Sequence, residues 1–490
     1  MNFKYLIVTL LAFVGSSLFT YAHATNQSTY ENETAIVFEA NDGQTTDAYE
    51  GFIWVPENRN KADSRMIKVS YVRFPSKAQN KGSPIIYLAG GPGGSGIATA
   101  KWRRFPLFVG LTEHADVIAL DQRGTGKSNN LPKCTSSQNI DLTKVTDIAN
   151  TSSRYRNAAL ECHQFWQQQG IDVLGYTSVQ NALDLDDLRK HFKAQKVSLW
   201  GISYGSHLAF AAMSLFEDRI DKVVIASAEG LNQTVKLPSY TSNYFARVQA
   251  QLNGDEKLKS KFPDIQMLMS KVHKTLLDNP MEIKIPTRDG KEIDFLFQKH
   301  HMQLLASMMI ADPNQYLAML LQTYAELAEG QTEVLIKILS RGIFNNPVID
   351  FKLMSFAMDV ASGITDSRLA QVKRETKNGL LGDLLNFPMP HLNKVIPELD
   401  LGDTFRLPKP NSVPTLLFTG TLDGRTYVEG QKESVAHLTK LTQVIVENAG
   451  HNLYTISPEV LSRMLAFFAD QQVDTKPIVV EPAFIKHLQN

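Results

Sequence analysis

The sequence predicts an α/β fold, a mostly parallel sheet covered by helices and carrying a large helical insertion. Three observations carry this. Short, continuously apolar runs such as Ile85-Ile86-Tyr87-Leu88, Val117-Ile118-Ala119-Leu120 and Val223-Val224-Ile225-Ala226 read as strands covered on both faces. Helical patterns alternate with them, as crossover connections between parallel strands require. From 236 to 407 that alternation stops and long Leu- and Met-rich helical patterns take over, before strand character resumes at Val413-Pro414-Thr415-Leu416-Leu417-Phe418-Thr419 and Gln443-Val444-Ile445-Val446-Glu447.

Taken in order, residues 1–24 hold Lys4, an apolar run from Tyr5 to Phe19 and the small-x-small site Ala22-His23-Ala24, the pattern of a cleaved secretory signal. Export to a periplasm or to the medium is therefore expected. Gly15-Ser16-Ser17 interrupts the run, which argues against an uncleaved anchor, and no later stretch is apolar enough for stable membrane insertion. The remainder divides into a first core part at 25–235, the insertion at 236–407 and a second core part at 408–490. With 490 residues, 43% of them hydrophobic, a large core is available. Lys+Arg and Asp+Glu both number 50 and no basic stripe appears, so the footprint of a nucleic-acid binder is missing. Composition does not address oligomeric state.

Segments 35–40, 51–56 and 66–74 suit antiparallel strands. The strand at 84–88 runs into the glycine-rich turn Ala89-Gly90-Gly91-Pro92-Gly93-Gly94-Ser95-Gly96. The strand at 116–120 runs into Asp121-Gln122-Arg123-Gly124-Thr125-Gly126-Lys127-Ser128. Its Gly-Lys-Ser ending imitates a phosphate loop, but Asp121 stands where that loop needs glycine and would repel phosphate. A surface loop then bears Cys134 and Cys162, the two cysteines of the chain. In an exported protein the pair is expected to be oxidised, the alternative being two buried free thiols. A helix follows at about 178–192, and its Asp184, Asp186 and Asp187 read as a solvated face. The methionines of the insertion read as ordinary core and groove lining. A last helix at 458–470 and a proline-bearing tail close the chain.

The chemistry centres on Gly201-Ile202-Ser203-Tyr204-Gly205, which lies where the strand at 196–200 turns into a helix. A turn this tight needs glycine two positions before and after the serine, and it presents Ser203 Oγ at a helix N-terminus as a nucleophile. A serine nucleophile needs a base and an orienting acid. Asp423 follows one resumed strand and His451 the other, in the chain order serine, acid, histidine. Parallel strands bring their C-terminal ends to one edge, so the three are expected to meet there as a catalytic triad. The backbone N–H groups of Tyr204 and Gly91 are the expected oxyanion donors. No metal and no cofactor is expected.

Together, Gly90-Gly91-Pro92-Gly93, Asp121-Gln122-Arg123-Gly124-x-Gly126-x-Ser128, Gly201-x-Ser203-Tyr204-Gly205, Asp423 and Gly450-His451 resemble the prolyl aminopeptidase and tripeptidyl aminopeptidase family of α/β-hydrolases, from about 49 to 470. The resemblance implies an α/β-hydrolase fold whose helical insertion is a cap, and a serine exopeptidase acting on peptides with a free N-terminus. It also supports a Cys134–Cys162 bridge, since exported members carry a cysteine pair after the same loop. Members bind the substrate ammonium through acidic cap residues, for which Asp359 and Asp366 are the candidates here. Two departures leave substrate choice open: Ala89 stands where the family usually has histidine, and Thr426-Tyr427 where Thr-Pro is common. The rival readings are an esterase or other amide hydrolase of the same fold and, from another class, a non-catalytic binding protein.

Overall fold

The computed structural model describes residues 28 and 30–489, apart from 288, 289 and 408, so the expected signal at 1–24 lies outside the described residues. Fourteen strands occur among the described residues: β1 Glu33–Glu39, β2 Thr45–Pro56, β3 Met66–Phe74, β4 Ile85–Leu88, β5 Val117–Leu120, β6 Cys134–Asn139, β7 Val197–Ile202, β8 Ile220–Ala226, β9 Met281–Pro286, β10 Glu292–Phe297, β11 Val348–Phe351, β12 Thr415–Gly420, β13 Leu441–Glu447 and β14 Ile478–Val479. Ten of them form one sheet in the order β1-β2-β3-β5-β4-β7-β8-β12-β13-β14. The first three pair antiparallel and β3 runs antiparallel to β5. Every later pairing is parallel.

The central strands read as unbroken apolar runs because both faces of the sheet are covered. Side chains alternate across a strand, so in β4 Ile85 and Tyr87 enter one core and Ile86 and Leu88 the other, while in β7 Trp200 and Leu199 divide in the same way. On the first of these faces the Tyr87 and Trp200 rings meet edge-on at 4.6 Å, worth about 0.5–1.5 kcal/mol beyond the buried area.

Between β8 and β12 the chain leaves the sheet to form a mainly helical cap. Beside its helices the insertion holds the antiparallel β9–β10 hairpin and β11, which pairs with β6. One cap core gathers Tyr244, Leu305, Leu320 and Tyr324, and it also takes in Met269, Met302 and Met309, the ordinary role expected for the methionines. A second core joins Phe356, Val360 and Leu392 to Cys162 and Trp166, so the segment after β5 packs with the cap.

Two expectations change. The cysteine-bearing segment is not a surface loop but strand β6 and a 21-residue helix, Ile148–Gln168, capped by the Asp147 carboxylate. Ala158, Cys162 and Trp166 recur every fourth residue along its buried stripe, a narrow signal within an otherwise polar stretch. The Cys134–Cys162 disulfide ties strand to helix. The aspartates of the helix Ser178–His191 are not a wholly solvated face either. Asp184 is fully buried and accepts hydrogen bonds from Arg123 Nε at 2.7 Å, Arg123 Nη2 at 2.6 Å and Arg59 Nη2 at 2.7 Å. Asp186, also buried, pairs with Arg189 and Arg219, each at 2.8 Å. Arginine forks of this kind compensate the desolvation that would otherwise keep such carboxylates at the surface. In the tail, β14 adds an edge strand to the sheet beside β13.

Candidate active site

Ser203 joins β7 to the helix Tyr204–Phe216 with φ 55° and ψ −127°, a conformation that non-glycine residues rarely hold. The flanking glycines make the turn possible. A Cβ on Gly201 would stand 2.6 Å from Gly205 O, and one on Gly205 would stand 2.1 Å from Leu88 O. Ser203 is anchored below by its own N–H, which donates to Ala226 O at 3.1 Å, at the end of β8. The next residue, Ser227, donates through Oγ to His451 O at 2.8 Å. Consecutive residues of one strand end thus suspend the serine turn and the histidine loop side by side.

Asp423 lies three residues past β12 and is fully buried. Its Oδ1 accepts from the backbone N–H groups of Arg425 and Thr426, both at 2.8 Å, and its Oδ2 accepts from Thr426 Oγ1 at 2.7 Å. His451 Nδ1 lies 3.2 and 3.1 Å from the two carboxylate oxygens. Burial alone would raise this carboxyl, but the His451 ring and the Thr426 hydrogen bonds outweigh it and hold the group well below the usual carboxylate range. With Nδ1 turned to Asp423, Nε2 is the ring nitrogen left for a hydroxyl. No hydrogen bond joins Ser203 Oγ to His451 in this structure. Free enzymes commonly hold that contact loose.

The glycine-rich turn after β4 packs against the serine, and a Cβ at Gly90 would come within 3.2 Å of Ser203 Cβ. Gly91 has φ +129° and precedes the cis proline Pro92. The turn is held by Gln122 Nε2 donating to Ala89 O at 2.9 Å, with Asn181 Nδ2 donating in turn to Gln122 Oε1 at 2.7 Å. From the cap, Ser355 Oγ donates to Pro92 O at 2.8 Å. Tyr204 opens its helix, so its N–H has no acceptor within that helix. Its phenol is buried and hydrogen-bonded to Ser178 Oγ at 2.5 Å.

A cavity of about 450 Å³ begins at Gly91 and Pro92 and runs beneath the cap. Asp359, on the cap helix Leu353–Ser362, lines it. Burial first and the charge of Glu229 second push its carboxyl up to about 7. Asp366 is placed elsewhere: its side chain is 87% exposed and faces Lys394 at 3.5 Å, outside the cavity. Glu229, Lys236 and Arg425 also line the cavity. Glu229 and Lys236 form an ion pair at 3.0 Å.

The sequence matches the profile of the alpha/beta hydrolase fold family over residues 83–458, a span that includes Ser203, Asp423 and His451. The chain belongs to the α/β-hydrolase family. Among curated relatives, the tripeptidyl aminopeptidase of Streptomyces lividans is 23% identical over 231 residues, 44% of this chain and 40% of that protein. Serine protease Hip1 of Mycobacterium tuberculosis is 25% identical over 190 residues, 36% of this chain and 35% of that protein. The alignments thus span about two-fifths or less of the relatives' length. Among solved structures, an esterase from Thermogutta terrifontis superposes with a TM-score of 0.36 at 15% identity, covering 86% of this chain and 98% of that one.

In this hydrolase the resemblance seen in the motifs meets a relative bearing the tripeptidyl aminopeptidase name. Sequence reasoning missed Gly90 as the glycine lying against Ser203, and it missed Glu229, Lys236 and Arg425. Gly90 was legible as part of the same motif. Glu229 and Lys236 share the loop after β8 while Arg425 follows β12, and only the fold brings Arg425 to the other two. Arg425, two residues past Asp423, carried the one usable signal. The Asp-Gln-Arg-Gly motif has a structural use: Asp121 accepts from Lys127 N at 2.7 Å and Ile97 N at 3.1 Å, closing two turns that present no phosphate site. Among the described residues no cluster of His, Cys, Asp or Glu suits a metal ion, and no helix is long and apolar enough to cross a membrane.

Proposed function

We propose that this hydrolase is an exported serine aminopeptidase that releases N-terminal residues or short peptides through an acyl-enzyme. Ser203 Oγ attacks the scissile carbonyl carbon while His451 Nε2 takes its proton, and Asp423 fixes the ring tautomer and stabilises its charged form. The carbonyl oxygen, now anionic, accepts from the N–H groups of Tyr204 and Gly91. His451 then gives its proton to the leaving amine as the C–N bond breaks. Water, deprotonated by the same histidine, attacks the ester and frees Ser203.

One observation carries the peptidase reading over a general esterase. The cavity that adjoins the Gly91 turn contains a carboxylate, Asp359, with neither a hydrogen bond nor an ion pair to its side chain, where a substrate ammonium would find its partner. Export is supported by the signal pattern at 1–24 and by the disulfide.

The test is a panel of peptide arylamides with free and with acetylated N-termini, beside a simple aryl ester. Cleavage of the free amines at least tenfold faster than their blocked forms is expected. Equal rates would remove the aminopeptidase reading, and hydrolysis of the ester alone would favour an esterase.

A further inference from the structure

The charges of the cavity point to more than an ammonium. Six side chains of charged type line it: Glu229, Asp350 and Asp359, against Lys236, Lys352 and Arg425. Glu229 is paired with Lys236 at 3.0 Å, and Asp350 with Lys133, from outside the cavity, at 2.8 Å. Asp359, Lys352 and Arg425 are left without a side-chain hydrogen bond or ion pair. Arg425 lies two residues past the proposed acid, and its own backbone N–H donates to Asp423 Oδ1 at 2.8 Å. Its guanidinium lies within electrostatic reach of Glu229, Lys236 and Asp359 alike.

A substrate ammonium on Asp359 would satisfy the unpaired acid and leave Arg425 as an unpaired cation lining the same cavity. Arg425 is solvent-exposed where it lines the cavity, so its guanidinium is free to meet a carboxylate supplied by the substrate in a charge-assisted, two-pronged bond. We infer that Arg425 is a specificity residue and that the preferred substrates are peptides whose released N-terminal segment carries an acidic side chain, Asp or Glu. The substrate then enters with its ammonium toward Asp359 and its side-chain carboxylate toward Arg425. This inference rests on the aminopeptidase reading.

The experiment compares free-amine Glu-, Asp-, Gln- and Leu-arylamides, single residues and the corresponding tripeptides, on the wild-type protein and on Arg425→Gln and Arg425→Lys, with an N-acetylated Glu substrate as control. The expected result is a Glu-over-Gln ratio of kcat/KM of about ten to a hundred in the wild type. That ratio should collapse toward one in Arg425→Gln, through KM, and be kept only in part in Arg425→Lys, whose ammonium retains the charge but not the two-pronged geometry. Because it is taken within one preparation, a loss of folded protein does not move it. A wild-type preference for Gln or Leu over Glu, or a ratio untouched by Arg425→Gln, would overturn the inference while leaving the aminopeptidase reading intact. Acetylated Glu cleaved as fast as free Glu would overturn the aminopeptidase reading itself.

Discussion

Asp423 and Asp359 are carboxyls displaced in opposite directions by their surroundings. Asp423 is buried but bonded to Thr426 and His451, so it stays ionised far into acid. Asp359 lacks such partners and sits near the negative Glu229, so burial dominates and its carboxyl is pushed up to about 7. The sign is then fixed: Asp359 is an anion above about pH 7 and neutral below it. KM for a free-amine peptide should therefore rise as pH falls from about 8 to about 6, while KM for an N-blocked ester stays level. Steady-state kinetics across that window checks this, and Asp359→Asn should flatten the profile at the high-KM end. For the proposed nucleophile and base, Ser203→Ala or His451→Ala should each lower turnover by about 10⁶-fold, and Asp423→Ala by somewhat less, measured with the best substrate of the panel.

At the scale of elements, the cap does more than roof the sheet. The cap segment after the helix Lys299–Met309 reaches down to both acid and histidine loops: a Cβ on Gly424 would stand 2.3 Å from Ile310 O, His451 N–H donates to Ala311 O at 3.1 Å, and a Cβ on Gly450 would meet Pro313 Cδ at 2.3 Å. Gly450→Ala must push that segment or the histidine loop aside. A fall in kcat of about 10²-fold with an unchanged far-UV spectrum is expected, since a displacement of about 1 Å at a catalytic group costs that much. The disulfide is a second link, closing a separation of 28 residues between β6 and the helix Ile148–Gln168. In the chain-entropy account its loss through Cys134→Ser with Cys162→Ser should cost about 3 to 4 kcal/mol, read from denaturant midpoints. These elements also show where sequence reading works and where it stops. Ser203, Asp423 and His451 stand out because each follows an apolar strand, and strand ends of a parallel sheet converge by topology alone. The helix Ile148–Gln168 did not stand out, because its apolar stripe is narrow and its exposed faces are strongly polar. Asp184 reads as part of a solvated acidic run because its partner Arg123 lies 61 positions away, in another loop. The cavity was hidden for the same reason: Glu229, Asp359 and Arg425 have no local pattern in common.

Across the whole molecule, the Arg123 side chain ties distant segments together. Fully buried, it bonds Asp184 of the helix Ser178–His191 and donates through Nη1 to Glu57 O at 2.6 Å, just past β2, and to Gly175 O at 2.5 Å. Arg123→Ala leaves Asp184 with Arg59 alone and takes the donor from two interior carbonyls, so a loss of about 3 kcal/mol in unfolding free energy is expected, measured by urea titration. The same loop carries Gln122, which pins Ala89 at the head of the glycine-rich turn that packs against Ser203. The central claim is that this fold presents Ser203 as an activated nucleophile. Its most direct test is reaction of the wild-type protein with a fluorophosphonate, followed by peptide mass spectrometry. A single adduct on Ser203, formed far more slowly in His451→Ala, is the predicted result. An adduct on another residue, or no adduct on an enzyme that still turns over its substrate, would contradict the account.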